Sequence, residues 1–224
     1  MEKLPIKEKN MSLAVVINTT DKYSFLWNDW WHFFSNNWNH DYPVYFLNEK
    51  KDINFPVKQI KVDIPEIGLW TKKLRESIKQ IPEDNLFVIL EDLFPVKKID
   101  IDSIYKMFKT LSADALRVMA SVSKYTTVHD TMFKINGESV KKLDANSRYL
   151  IAHTPNIWKK SFLLECLKTD ENPWENEVTG SQRMAGKDYK IYAYLKSDWY
   201  VNVYKKGKIT PQGQKLLKGS LTFK

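Results

Sequence analysis

Leu86-Phe-Val-Ile-Leu90 is an unbroken apolar run that stops at two acids, Glu91-Asp92. A second run, Leu13-Ala-Val-Val-Ile17, stops at Asn18-Thr19-Thr20-Asp21. A strand that is apolar at every position, rather than every second one, belongs to a parallel sheet covered on both faces. Outward from these runs the periodicity alternates. Residues 23–36 predict a helix, with Phe25, Leu26, Trp30, Phe33 and Phe34 at helical spacing. Pro43-Val-Tyr-Phe-Leu47 predicts a strand, and 57–62 a more exposed third one. An amphipathic helix follows at 67–81, with Leu69, Trp70, Leu74, Ile78 and Ile81 on one side. A helix at 102–111 and a strand at 115–121 continue the alternation. The expectation is an α/β domain: a mixed, mostly parallel sheet flanked by helices.

Beyond residue 120 the pattern is less regular. Residues 123–144 are polar, with a hairpin signal at Asn136-Gly137. Strands are predicted at 149–153, 189–194 and 200–204, and helices at 158–168 and 173–184. Residues 205–224 hold lysines and no acid, and read as a solvated basic tail. Residues 1–11 read as a flexible extension. No repeat or Gly/Ser/Pro-rich linker divides the chain, so 1–224 reads as a single domain.

The chain's 224 residues are 43% hydrophobic and 28% charged. A chain of that size buries roughly 70–75% of its unfolded surface and needs no staples. The one cysteine, Cys166, excludes an internal disulfide framework and an all-cysteine zinc site. It lies in the apolar run at 162–167 and reads as a core residue. Seven glycines and nine prolines exclude a collagen-like or low-complexity chain. The net charge of +8 asks for an anionic partner: nucleic acid, a phosphate-bearing small molecule or an acidic membrane. Eight tryptophans argue against disorder. The first ten residues mix both charges without an apolar stretch, and no run approaches the ~20 apolar residues of a membrane span. A soluble, cytoplasmic protein is expected.

In open α/β sheets, ligands bind outside the carboxyl ends of the strands. That rule selects residues 18–23 and Glu91-Asp92. No Gly-x-Gly-x-x-Gly or P-loop pattern is present, which argues against dinucleotide enzymes and P-loop NTPases. Adjacent acids at a buried strand end suit Mg²⁺ or Mn²⁺, which takes oxygen ligands and often only one or two protein carboxylates. The plain alternative is an acidic strand end facing water. A second constellation is Glu171-Asn-Pro-Trp-Glu-Asn-Glu177. Pro173 fits the first helical position, Asn172 the N-cap, and Glu175 the closing position of a capping box. Capping does not explain Glu177. A carboxylate beside a buried aromatic such as Trp174 is also a route to a general base. Trp158 either floors a sugar site or staples a helix start. His32, His40, His129 and His153 lack metal-ligand spacing and read as surface or packing residues.

The segment Asn18-Thr-Thr-Asp-Lys-Tyr-Ser-Phe-Leu-Trp27, with Trp38 and Tyr42-Pro-Val-Tyr-Phe-Leu47 after it, resembles the start of a family of GT-A-type glycosyltransferases of bacterial capsule and lipopolysaccharide loci and some viruses. The order of signals continues with Trp70-x-x-Lys73-Leu74, Val88-Ile-Leu-Glu-Asp-Leu-Phe94, Ile157-Trp-Lys-Lys, the 171–177 segment and Lys206-Gly-Lys. The resemblance implies a GT-A-like, Rossmann-like fold and sugar transfer from a nucleotide sugar, UDP-linked by expectation, to a hydroxyl of a glycan or glycolipid acceptor.

Under that resemblance Thr19, Thr20, Asp21 and Tyr23 line the nucleotide pocket. Trp70 and Lys73 contact the base or ribose. Asp92, with Glu91, holds Mn²⁺ or Mg²⁺ on the diphosphate. Glu175 or Glu177 is the base of an inverting transfer, and Trp158 and Trp174 face the acceptor. The sequence departs from the usual Asp-x-Asp pattern, since Glu91-Asp92-Leu93 has one Asp. Lys205, Lys206 and Lys208 are therefore expected to share the charge of the leaving diphosphate. A location peripheral to the inner membrane is compatible with those lysines. The rival readings are a nucleic-acid-binding protein, motivated by charge and aromatics, and a catalytically inactive scaffold of the same fold. The basic residues are dispersed and the aromatics sit at core spacing, so nucleic acid is not expected as a partner.

Overall fold

The computed structural model describes residues 12–118, 128–135, 138–168, 170–195 and 198–221. The elements are β1 (Leu13–Asn18), α1 (Ser24–Asn37), β2 (Val44–Asn48), β3 (Lys58–Lys61), α2 (Trp70–Ile78), β4 (Asn85–Leu90), β5 (Leu93–Pro95), α3 (Ile101–Thr110), β6 (Ala115–Arg117), β7 (Val128–Ile135), β8 (Glu138–Leu143), β9 (Asn156–Lys159) and α4 (Lys160–Cys166). Then α5 (Pro173–Glu175) runs through a π turn (Asn176–Gly180) into α6 (Ser181–Met184). Strands β10 (Ile191–Tyr194), β11 (Tyr200–Asn202), β12 (Tyr204–Lys205), β13 (Lys208–Ile209) and helix α7 (Pro211–Leu221) complete the elements of the described residues.

Nine strands form one sheet in the order β3-β2-β1-β4-β9-β6-β10-β8-β7. The pairs β3–β2, β2–β1 and β1–β4 are parallel. β9 lies antiparallel between β4 and β6, and β10 returns parallel to β6. β1 and β4 split their side chains between two cores. Val15, Ile17, Phe87 and Ile89 pack with Trp30, Phe34 and α3 on one face. Ala14, Val16, Leu86 and Val88 pack with Trp70, Leu74, Trp158 and Phe162 on the other. Burial on both faces is the physical origin of the continuous apolar runs.

The strand expected at 149–153 does not form. That segment is a turn-rich connection, and the strand begins after Pro155. Its four residues pair with both neighbours, Trp158 facing Leu86 on one side and Ala115 on the other. Trp158 is therefore in a central strand, not at a helix start. The hairpin expected near residue 136 is present as β7 and β8, with its turn outside the described residues. Of the strand expected at 115–121, the stretch 119–121 also lies outside them.

The basic tail is folded rather than solvated. β12 and β13 close a two-residue turn at Lys206 (φ 51°) and Gly207 (φ 78°), the left-handed pair that a tight hairpin requires. In α7, Leu216 and Leu217 pack on the core. Gly213 lets the helix lie against Val203, because a Cβ there would stand 2.6 Å from the Val203 carbonyl oxygen. Among the described residues no helix is long and apolar enough to cross a membrane.

Candidate functional site

Register places the chemistry. Asn18 pairs with Leu47 of β2 and with Leu90 of β4, so Thr19, Asn48-Glu49 and Glu91 emerge side by side at the carboxyl edge. Thr19 turns inward, where its hydroxyl accepts from the Trp27 indole at 2.7 Å. Lys73, from the second turn of α2, is 1% exposed. Its Nζ donates to the Thr19 carbonyl at 2.7 Å and to Glu49 Oε1 at 2.5 Å. The other Glu49 oxygen accepts the Asp21 N–H. One buried ion pair thus ties α2 to the ends of β1 and β2. Asp21 serves the next turn, accepting from Asn48 Nδ2 at 2.7 Å and from the N–H groups of Lys50 and Lys51. Burial alone would raise its carboxyl, but these donors pull it below the usual range.

Glu91 and Asp92 leave β4 into this edge. Burial pushes the Glu91 carboxyl well up, and the neighbouring Asp92 charge adds to the rise. Burial likewise raises Asp92, whose Oδ1 is buried without a partner. The phenol of Tyr23 is raised by burial, then by the charges of Glu91, Tyr204 and Asp92. Its ring packs edge-on against Tyr204 at 5.4 Å. The Val203 N–H donates to the Asp92 carbonyl at 2.8 Å, which brings the β12–β13 hairpin against the acids. Lys205, Lys206 and Lys208 are exposed on that hairpin. Thr20 Oγ1 is also buried and unpartnered.

Among the described residues no three or more His, Cys, Asp or Glu side chains converge as a metal cage. A Mg²⁺ or Mn²⁺ site does not need one, since phosphate oxygens complete the shell. A buried carboxylate, Glu91, and a half-buried one, Asp92, both raised and the second with an orphan oxygen, suit a dication.

The second half of the site lies on the helix at 173–184. Asn172 Oδ1 accepts the Glu175 N–H, and Glu175 Oε2 accepts the Asn172 N–H, each at 2.9 Å. The capping box expected from the sequence is complete, and Glu175 is exposed. Glu177 instead turns inward within the π turn, where Oε1 accepts the His153 N–H at 2.8 Å. Such turns interrupt the regular helix ladder and recur at functional sites. Asn176 is fixed, its Nδ2 donating to the Cys166 carbonyl and to Glu171. Its Oδ1 therefore faces His153 Nε2 at 2.8 Å, which places that ring proton on Nε2. His153 packs edge-on against Trp70, ring centroids 4.5 Å apart, and burial lowers its pKa. Glu171 is gripped by both Nη atoms of Arg183 and by Thr179. Burial would raise its carboxyl, but those donors and the Arg183 charge bring it down to about 2.

α2 joins the two halves. Lys73 holds the strand ends, Trp70 contacts His153, and the Thr71 N–H donates to the Glu171 carbonyl at 3.1 Å. Of the residues expected at the site, Tyr23, Glu91 and Asp92 gather at the strand ends with Thr20 beside them, while Glu177 lies on the helix and binds the His153 N–H. Lys73 and Thr19 face protein partners instead. Trp158, 2% exposed, is core and offers no ring face to a sugar. Trp174 is 68% exposed, so the buried aromatic expected beside the base is absent, although an accessible face is present. Sequence reasoning missed Glu49, and its reading of the histidines as surface or packing residues holds at His153, which is buried against Trp70. Glu49 pairs with Lys73, 24 residues away in sequence.

No family model and no curated protein matches the chain. Among solved structures, it is similar to residues 1–349 of S. aureus TarS in complex with UDP, at 12% identity and a TM-score of 0.59 over 85% of this chain and 60% of that one. The UDP-GlcNAc complex of the same protein matches at 12% identity and a TM-score of 0.57, over 89% and 60% of the two chains. The chain therefore spans about 60% of that TarS fragment. It is also similar to CMP:2-keto-3-deoxy-manno-octonic acid synthetase complexed with CTP, at 12% identity and a TM-score of 0.54, over 94% of this chain and 98% of that one. By architecture, the chain has a GT-A-like fold of the kind these nucleotide-binding proteins share.

Proposed function

We propose that the chain transfers a sugar from a nucleotide-sugar donor, UDP-linked, to a hydroxyl of a glycan or glycolipid in surface polysaccharide synthesis, with inversion. The observation that carries this reading is the pairing of two sites through α2. Raised carboxyls of Glu91 and Asp92 stand beside Tyr23 at the strand ends, and an inward carboxylate, Glu177, stands on the helix segment that α2 joins to those strand ends through Trp70 and His153. The TarS complexes with UDP and UDP-GlcNAc support the donor class.

In this mechanism Glu177 takes the proton of the acceptor hydroxyl as its oxygen bonds to the anomeric carbon. The bond from that carbon to the diphosphate breaks, and the nucleoside diphosphate leaves. Asp92, with Glu91, would hold Mn²⁺ or Mg²⁺, which when bound offsets diphosphate charge. Lys205, Lys206 and Lys208 offset the same charge as it develops. Trp174 offers a ring face to the acceptor, and Glu175 keeps the helix start in place. The lysines also suit peripheral contact with an anionic membrane.

Calorimetry with UDP and UDP-sugars, with and without Mn²⁺, tests the donor site. No nucleotide binding under any condition refutes it. Glu177→Gln should abolish transfer and leave donor binding intact, whereas full activity removes Glu177 as base. The likeness to the CTP-bound synthetase, over 98% of its chain, favours a second reading: nucleotidyl transfer. The β1–α1 connection Thr19-Thr-Asp-Lys-Tyr23 has no glycine to cradle a triphosphate, which weighs against it. Pyrophosphate release from CTP in the presence of a sugar acid would favour it.

A further inference from the structure

Phe25 stands in the first turn of α1 but not on its buried face. Leu26, Trp27, Trp30 and Phe34 pack inward, whereas Phe25 is 55% exposed. Its ring meets the Tyr204 ring of the β12–β13 hairpin edge-on, 5.5 Å between centroids. Tyr23 closes the triangle, 5.4 Å from Tyr204 and 6.3 Å from Phe25. Tyr204 pairs with Ile209 across the hairpin, and Ile209 is 37% exposed. An apolar face thus runs from α1 to the hairpin, beside the strand end where Asp92 lies. A lone exposed apolar residue is ordinary. An aromatic and an aliphatic side chain joined through two further rings mark a contact surface.

Lysines surround that face. Lys22 Nζ lies 6.0 Å from the centre of the Tyr23 ring. Lys51 Nζ donates to the hydroxyl of Ser24, the neighbour of Phe25, at 2.6 Å. Lys205, Lys206 and Lys208 are exposed on the hairpin. None of these five ammonium groups is paired with a carboxylate among the described residues. On the β2–β3 side, by contrast, Lys50 is paired with Asp63 and Lys61 with Asp52. The nearby acids are engaged or set back. Asp21 accepts from Asn48 and from the Lys50 and Lys51 N–H groups, and Asp29 lies one turn further along α1.

We propose that this face docks the protein on an anionic lipid bilayer, with Phe25 and Ile209 entering the headgroup boundary and the lysines among the lipid phosphates. The lysines alone would suit any polyanion. A nucleic acid or an acidic glycan, however, has no use for an exposed Ile209 beside an exposed Phe25. A bilayer surface takes both kinds of group, because apolar burial and attraction to anionic headgroups act together there. Lysine stems lie along apolar surface while their charges stay in water. Docked in this way, the protein turns the carboxyl edge of its sheet toward the bilayer. The proposal goes beyond the transfer reading and needs neither donor nor acceptor.

The test is flotation of the full chain with vesicles of phosphatidylcholine alone and of phosphatidylcholine mixed with phosphatidylglycerol. The parent should float with the mixed vesicles, and raised salt should release part of it. Phe25→Ser/Ile209→Ser should weaken that binding at least about tenfold, as expected for withdrawing large apolar side chains from lipid. Lys22→Glu should weaken it about fivefold or more. Both variants should keep the circular dichroism and the UDP titration of the parent, since neither changes a core residue or one placed in the donor site. A parent that does not float with the mixed vesicles overturns the proposal, as does equal flotation with phosphatidylcholine alone. An apolar variant that binds like the parent also overturns it and leaves a face for soluble polyanions. Failure of the transfer reading looks different: UDP would not bind, while flotation and its loss in the variants would persist.

Discussion

Lys73→Met separates a structural lysine from a ligand-binding one. The Lys73 ammonium and the Glu49 carboxylate are both buried, at 1% and 4% exposure. Removing the ammonium leaves Glu49 with the Asp21 N–H as its remaining donor and takes the donor from the Thr19 carbonyl. Breaking one side of a buried pair costs about 3–5 kcal/mol, mostly through the charge left behind. In a chain of this length each kcal/mol is roughly 2–4 °C, so Tm should fall by about 10 °C.

The double variant Lys73→Met/Glu49→Leu removes both charges and should recover part of the loss, because apolar pairs often replace buried ion pairs at little cost. Urea denaturation of the parent, both single variants and the double variant gives the coupling energy, expected at roughly 1–3 kcal/mol. UDP titration of the folded fraction is the second readout. If Lys73→Met melts within about 2 °C of the parent yet loses donor affinity, the strut argument is refuted. Lys73 would then act on the nucleotide, as the family resemblance implied.

Three further outcomes follow from single contacts. Glu175→Ala should cost about 0.5–1 kcal/mol, read as a lower urea midpoint, and leave the rate unchanged, since the residue closes a cap on an exposed turn. Gly213→Ala should lower Tm despite the better helix propensity of alanine. Its Cβ would meet the Val203 backbone at 2.6 and 2.9 Å, where no flexible side chain can yield, and overpacking of that kind costs about 1–3 kcal/mol. For Arg183→Met the sign is set by Glu171, whose folded value near 2 lies below the ordinary 4.5. The stability it contributes is present above that ordinary value and is lost as pH falls toward 2. The gap between parent and variant in chemical denaturation should therefore be widest at neutral pH and close in acid.

What could be read from the chain divides by the distance over which its cause acts. β1 and β4 were legible because burial on two faces is written as an apolar run. The capping box at Asn172 and Glu175 was legible because its partners lie three residues apart. β9 was not, because Trp158 and Phe162 continue at helical spacing, and only pairing with β4 and β6 makes Trp158 and Lys159 part of a strand. In the tail, frequent lysines hid Leu216 and Leu217, whose burial depends on the core already being there. The acids Glu91 and Asp92 could be found by the strand-end rule, which needs only the order of elements.

The role of a charged residue is a different kind of quantity, because it belongs to a pair. Lys73 and Glu49 lie 24 residues apart and meet only because Asn18 is in register with Leu47. Arg117 and Glu177 reach the same connection, at the Tyr149 carbonyl and the His153 N–H, only because β9 inserts antiparallel beside β6 and carries residues 149–156 between sheet and helix. A pattern of residues can place a lysine near a nucleotide. Only the neighbouring strand end decides whether its charge is free to act there, and at Lys73 that neighbour is a buried glutamate.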